Sequence, residues 1–194
     1  MLMGATAEAA SVILYVNENQ EATLVGPIIG EVDIEKGGLG TLNLAPLSQN
    51  TYTGATNLYG GTLALSQQEA IPEESTIRIG SAALEVRYPD ADILNPIIIT
   101  DVNSKIVSTQ SQLILSGNIT CEASKALTLS GNSTFVFNGN NTWGEGCALQ
   151  MVGGAILSLS NPGSIKNMNL VAKSGSILSL GSGLYDLGSL SETE

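Results

Sequence analysis

Apolar residues return along this chain in one small unit: apolar, any residue, apolar. Examples are Leu42-Asn43-Leu44, Leu63-Ala64-Leu65, Ile77-Arg78-Ile79, Leu84-Glu85-Val86 and Ile97-Ile98-Ile99. Later come Leu113-Ile114-Leu115, Leu127-Thr128-Leu129, Phe135-Val136-Phe137, Leu149-Gln150-Met151, Leu157-Ser158-Leu159 and Leu178-Ser179-Leu180. In a strand, residues i and i+2 share a face. Each unit therefore predicts a short strand with two side chains inward and one outward.

The spacing of the units is more specific than the units themselves. Leu42, Leu63 and Leu84 are 21 residues apart; Leu113, Phe135, Leu157 and Leu178 step by 22, 22 and 21. Leu127 and Leu149 are 22 apart. Two interleaved series with one period imply a solenoid with at least two inward strands per coil. A single coil cannot bury its own apolar side chains. A second coil stacked about 4.8 Å above it pairs every strand amide and lines up like residues in internal columns. The prediction is an all-β, single-stranded, right-handed parallel β-helix of about 21 residues per coil and roughly nine coils. Phe135 should sit directly between Leu113 and Leu157.

One domain covers residues 1–194. Residues 1–27 are expected to form an N-terminal cap or first coil. Residues 28–86 form the motif-bearing coils, 87–180 further coils, and 181–194 a C-terminal tail. The Ala-rich stretch 5–16 suits a short capping helix, but Val12, Ile13 and Tyr15 suit a strand equally well.

Composition narrows the function. Aromatic residues are 4 % of the chain and Gly numbers 22, which fits short aliphatic strands joined by tight turns. The net charge is −11 and there is no His. Residues 1–100 hold 12 acids and 3 bases, whereas 101–194 hold 6 acids and 4 bases. An acidic chain without a basic patch repels phosphate backbones, so no nucleic-acid partner is expected. No apolar run is long enough for a membrane-spanning helix. Cys121 and Cys147 lie 26 residues apart, about four out of step with one coil, which leaves open whether they are bridged.

Residues 28–65 carry a motif. Gly38, Gly40, Thr41, Leu42 and Leu44 form one unit. Asn50, Thr51, Tyr52, Thr53, Gly54 and Thr56 form a second, and Gly61, Thr62, Leu63 and Leu65 a third. In this order they closely resemble the passenger-associated transport repeat, also called the autotransporter-associated β-strand repeat. The segment departs from the usual pattern at Ala55 and at Thr56-Asn57-Leu58, conservatively for a strand. A weaker resemblance, carried by Phe135-Val136-Phe137-Asn138 and Gly153-Gly154-Ala155-Ile156, is to chlamydial polymorphic outer-membrane proteins.

The resemblance implies a non-catalytic passenger fragment of a bacterial autotransporter, displayed on the cell surface or outer membrane, or secreted. It would aid its own secretion, adhere to a host-surface protein or glycan, and be tethered through a barrel absent from this sequence. No export signal is legible at the N-terminus, which fits a fragment whose signal has been cut away. The motif residues themselves would be structural, with Tyr52 capping a corner of the core.

Other chemistry is thin. Parallel β-helices host polysaccharide lyases and glycoside hydrolases, which is the competing reading. Its best cluster is Asp90 and Asp92, with Arg87 just before and Asp101 about half a coil later, but Tyr88-Pro89-Asp90 reads as a turn. No cofactor or metal is expected. Asn residues at repeated corners are expected to stack as amide ladders. Ile114, Val136, Ser158 and Ser179 should form one outward column. Its apolar half, with Ile98 nearby, is the candidate partner patch.

Overall fold

A computed structural model describes residues 10–159, 165–181 and 189–193. These residues form a parallel β-solenoid with three faces. On the first face the strands Ala10–Tyr15, Val32–Gly37, Thr56–Leu58, Ile77–Ile79, Ile97–Ile99, Ile119–Cys121 and Thr142–Trp143 stack in that order. On the second face nine strands stack from Glu21–Leu24 to Ser189–Thr193, giving eight turns among the described residues. The third face is interrupted. Ile29–Gly30 pairs with Thr51–Tyr52, and after a break the stack resumes with Ala91–Ile93, Gln112–Leu115, Thr134–Phe137, Ile156–Leu159 and Ile177–Leu180.

The period follows from the pairing. Thr41 faces Thr62 and Thr62 faces Ala83, steps of 21, but most later pairs are 22 apart, as in Gln112 with Thr134 and Thr134 with Ile156. Glu21 with Thr41 is 20 apart and Ser104 with Leu127 is 23. Corners absorb these differences, because a turn can lose or gain a residue without disturbing the strand columns.

The columns are those the spacing predicts. Leu113, Phe135, Leu157 and Leu178 stand in one file on the third face. Leu42, Leu63, Leu84, Ile106, Leu129 and Met151 stand in another on the second. Ile77, Ile97 and Ile119 form a third file on the first face. Branched aliphatics dominate because their bodies pack well against like neighbours on a pleated surface. Phe137 and Trp143 stack across the interior, ring centroids 6.4 Å apart.

At the ends, one open alternative is decided and one expectation changes. The stretch offered as helix or strand is a strand from Ala10 to Tyr15, paired with Val32–Gly37; residues 5–9 lie outside the described residues. The segment expected to be a tail supplies the strand Ser189–Thr193, paired with Asn169–Lys173; residues 182–188 and 194 of that segment lie outside the described residues.

Among the described residues one charged side chain stands in the interior. Lys36 lies in the internal file between Leu14 and Leu58 and is wholly buried. Its ammonium donates to Gly37 O at 2.7 Å, Gly38 O at 3.1 Å and Gly60 O at 3.0 Å. The head group thus ties the corners of two successive coils, and burial lowers its pKa from the usual lysine value.

Candidate interaction surfaces

The motif residues all serve stacking or turning. Leu42, Leu44, Leu63 and Leu65 are buried inward, and Thr41 and Thr62 are neighbours on the outer side of the second face. Asn50 is buried at a corner. It accepts from Ile28 N at 2.7 Å and donates to Ala70 O at 2.6 Å, so one amide joins the coil below to the coil above. Thr51 and Thr53 point to solvent, whereas Tyr52 and Thr56 point inward.

The Tyr52 hydroxyl lies 2.6 Å from Thr56 Oγ1, which lies 3.0 Å from Ser75 Oγ, and Ser75 Oγ donates to Gly54 O at 2.8 Å. Ser75 has one proton and gives it to Gly54, so Thr56 must donate to Ser75 and Tyr52 to Thr56. Burial raises the Tyr52 pKa, against the opposing effect of its hydroxyl partners. Gly54 and Gly61 are forced by close approach: a Cβ on Gly54 would strike Val32 O, and one on Gly61 would strike Gly40 O. Gly61 also holds a φ of +62°, which other L-residues rarely adopt.

The corner asparagines bond to backbone, which is how they differ from the expected amide ladders. Asn95 Nδ2 donates to Pro72 O, Glu73 O and Ser75 O. Asn141 Oδ1 accepts from Ile119 N, and Asn118 Oδ1 accepts from Asn140 N. A corner leaves main-chain groups without strand partners, and a short amide reaches them directly.

Cys121 and Cys147 form a disulfide, with Cα atoms 6.3 Å apart. Cys121 faces Trp143 in the next coil. The chain then turns, with Cys147 N donating to Gly144 O, and Cys147 re-enters the interior just before the strand Ala148–Val152. Both residues point into the same corner of the interior and are buried.

The acidic cluster does not assemble. Asp90 is exposed and left-handed at φ 52°, while Asp92 lies in the strand Ala91–Ile93. Arg87 turns away to Glu21 at 2.7 Å and Glu85 at 2.9 Å. Asp101 Oδ1 accepts from Asn103 N, closing its own turn. Among the described residues no three acidic or cysteine side chains converge as metal ligands would.

Asp92 instead borders a recess of about 70 Å³. The recess lies where the third face is interrupted, under the loop carrying Gln67, Gln68, Glu69 and Glu73. Asp92 Oδ2 accepts from Ser116 Oγ at 3.0 Å, and its main-chain oxygen accepts from Gln68 Nε2 at 3.1 Å. Tyr88 lines the same recess, its pKa pushed up to about 12 by burial and then by the Asp92 carboxylate. No sign of this recess is legible in the sequence, because nothing in the apolar period marks a missing strand.

The outward column is present: Asp92, Ile114, Val136, Ser158 and Ser179 follow one another on the third face. Ile114 and Val136 are half-buried. Ile98 is elsewhere, on the first face between Arg78 and Thr120, because a corner separates it from Ile114. The aliphatic residue beside Val136 in the adjacent outward column is instead Ile156, set diagonally to it, and Ile177, 54 % exposed, follows Ile156 one coil further on. Their position one residue before the inward Leu157 and Leu178 was available as a signal.

Set against known proteins, the chain matches no family model, no curated protein and no solved structure.

Proposed function

We propose that this chain is a non-catalytic, surface-displayed or secreted passenger stalk of a bacterial autotransporter, aiding its own secretion and serving adhesion to a host-surface protein or glycan. The observation that carries the reading is the motif at residues 28–65. Its leucines fill the internal files, and Asn50 bonds to Ile28 in one coil and Ala70 in another. A segment built this way orders the coil beside it, so folding can proceed coil by coil. That is useful to a chain emerging end-first from a pore.

The test is display. The chain, placed between an export signal and an outer-membrane barrel, should reach the surface of a Gram-negative host and be cut by added protease. Gly54→Val or Gly61→Val, which collide with the coil beneath, should trap it inside. A parent chain retained in the periplasm sinks the secretion role. Displaying cells that bind host monolayers no better than barrel-only cells sink the adhesive one.

A further inference from the structure

Asn-Gly occurs once in this chain, at Asn138-Gly139. The pair lies just past the strand Thr134–Phe137, at the corner that leaves the third face, and Asn138 is exposed. An asparagine amide is attacked most readily by the main-chain nitrogen that follows it when no side chain flanks that nitrogen. Gly139 meets this condition, having no Cβ. Its N–H is also loosely held. Asn138 N donates to Leu115 O at 3.0 Å, whereas Gly139 N reaches the same oxygen only at 3.4 Å.

The two Asn-Ser pairs, the nearest rivals, are restrained. Ser133 is buried and its N–H donates to Gly131 O at 2.9 Å. Ser104 is buried, and Asn103 Nδ2 before it donates to Asp101 Oδ1 at 3.2 Å. Each serine also sets a side chain beside the nitrogen that would attack.

We infer that Asn138 is a self-modification site, where the chain converts its own amide to an acid with water as the only co-reactant. Gly139 N gives its proton to solvent and bonds to Asn138 Cγ. The Cγ–Nδ2 bond breaks, and Nδ2 takes up a proton and leaves as ammonia. Water then opens the cyclic imide. Breaking the new bond to Cγ leaves an aspartyl residue. Breaking the bond to the main-chain carbonyl leaves an isoaspartyl residue, with the main chain rerouted through the side chain. Nothing is oxidised or reduced.

Either product puts a carboxylate two residues beyond Val136, at the margin of the aliphatic outward surface. The isoaspartyl form does more, because it lengthens the main chain by one carbon just ahead of Gly139. That corner has no slack. A Cβ on Gly139 would strike Gly117 O, and Asn140 N donates to Asn118 Oδ1 at 2.8 Å. The longer chain should therefore lose register with the neighbouring coil. This site goes beyond display and adhesion and depends on neither.

Ageing the full chain in mildly alkaline buffer, followed by peptide mass mapping, tests the site. The peptide holding Asn138 should gain the mass of an amide-to-acid exchange. It should split into two products, one of them a substrate for an isoaspartyl methyltransferase. The rate should rise in proportion to hydroxide, since the deprotonated nitrogen attacks. Asn103 and Asn132 should keep their amides in the native chain and lose them in the denatured one. Asn138→Gln should all but stop the exchange there, with the melting temperature of fresh protein unchanged. Asn138→Asp supplies the charge without the extra carbon, so it should melt near the parent, and the isoaspartyl fraction should melt below both. An Asn138 amide that persists in the native chain but is lost on denaturation overturns the inference. Exchange at Asn103 or Asn132 that keeps pace with it in the native chain does the same. An isoaspartyl fraction that melts with Asn138→Asp overturns the loss of register.

Discussion

Cys121 and Cys147 are bonded across a diagonal: Cys121 sits opposite Trp143, and its partner lies four residues further on, past a turn. The bond therefore fixes the path of a corner as well as the contact between two coils. Closing a loop of 26 residues restricts the unfolded chain. Cys121→Ala with Cys147→Ala should lower stability by about 3 kcal/mol, read as a drop in denaturant midpoint. Because both residues are buried, a thiol reagent with mild reductant should label the native chain slowly and the denatured chain at once. Equal labelling rates would show that the bond is open to solvent.

Asn50 supports two coils with one amide. Asn50→Ala strands the Ile28 N–H and the Ala70 carbonyl in a corner, at a cost of about 2–4 kcal/mol. Thr51→Ala, at the exposed neighbouring position, should change stability by less than about 0.5 kcal/mol. Paired denaturant melts of the two variants would check this, and similar midpoints would remove Asn50 as a linchpin.

Lys36 separates charge from volume. Lys36→Ala leaves a void between Leu14 and Leu58 and should cost about 2–4 kcal/mol. Lys36→Met refills the file and removes a buried charge, so it should lie within about 1–2 kcal/mol of the parent. The burial-lowered pKa has its own consequence. The native chain releases this proton at a lower pH than the unfolded chain, so the Lys36 contribution improves as pH rises toward the usual lysine value of 10.5. The parent should gain stability relative to Lys36→Met across that window.

Tyr52 and Tyr88 set the opposite limit. Both have raised pKa values, Tyr88 to about 12. The unfolded chain loses phenolic protons near pH 10 while the native chain keeps them, so the native state binds more protons there and stability falls. Their stabilising share is complete below about pH 10 and is lost as pH climbs through the folded values. Tyrosinate absorbance followed along an alkaline titration should show late ionisation that diminishes in Tyr52→Phe and again in Tyr88→Phe. An alkaline titration left unchanged by both substitutions, apart from the lost amplitude near pH 10, would contradict the burial.

The period is a property of sequence because every coil solves the same local problem. Leu113, Phe135 and Leu157 must each turn inward, and stacked strands leave only one way to align them. The outward column through Ile114 and Val136 follows from the same alternation. The interrupted third face, the recess beside Asp92, the separation of Ile98 from Ile114 and the diagonal disulfide all lie at corners. There, the number of residues between strands sets no direction by itself. Lys36 was equally unreadable: a lysine looks like a solvent residue until three carbonyls from two turns are seen around its ammonium. Strand positions were decided by the apolar rhythm alone. Corner paths, and everything that depends on them, were decided by packing between coils, because a turn takes its shape from the neighbour it must satisfy.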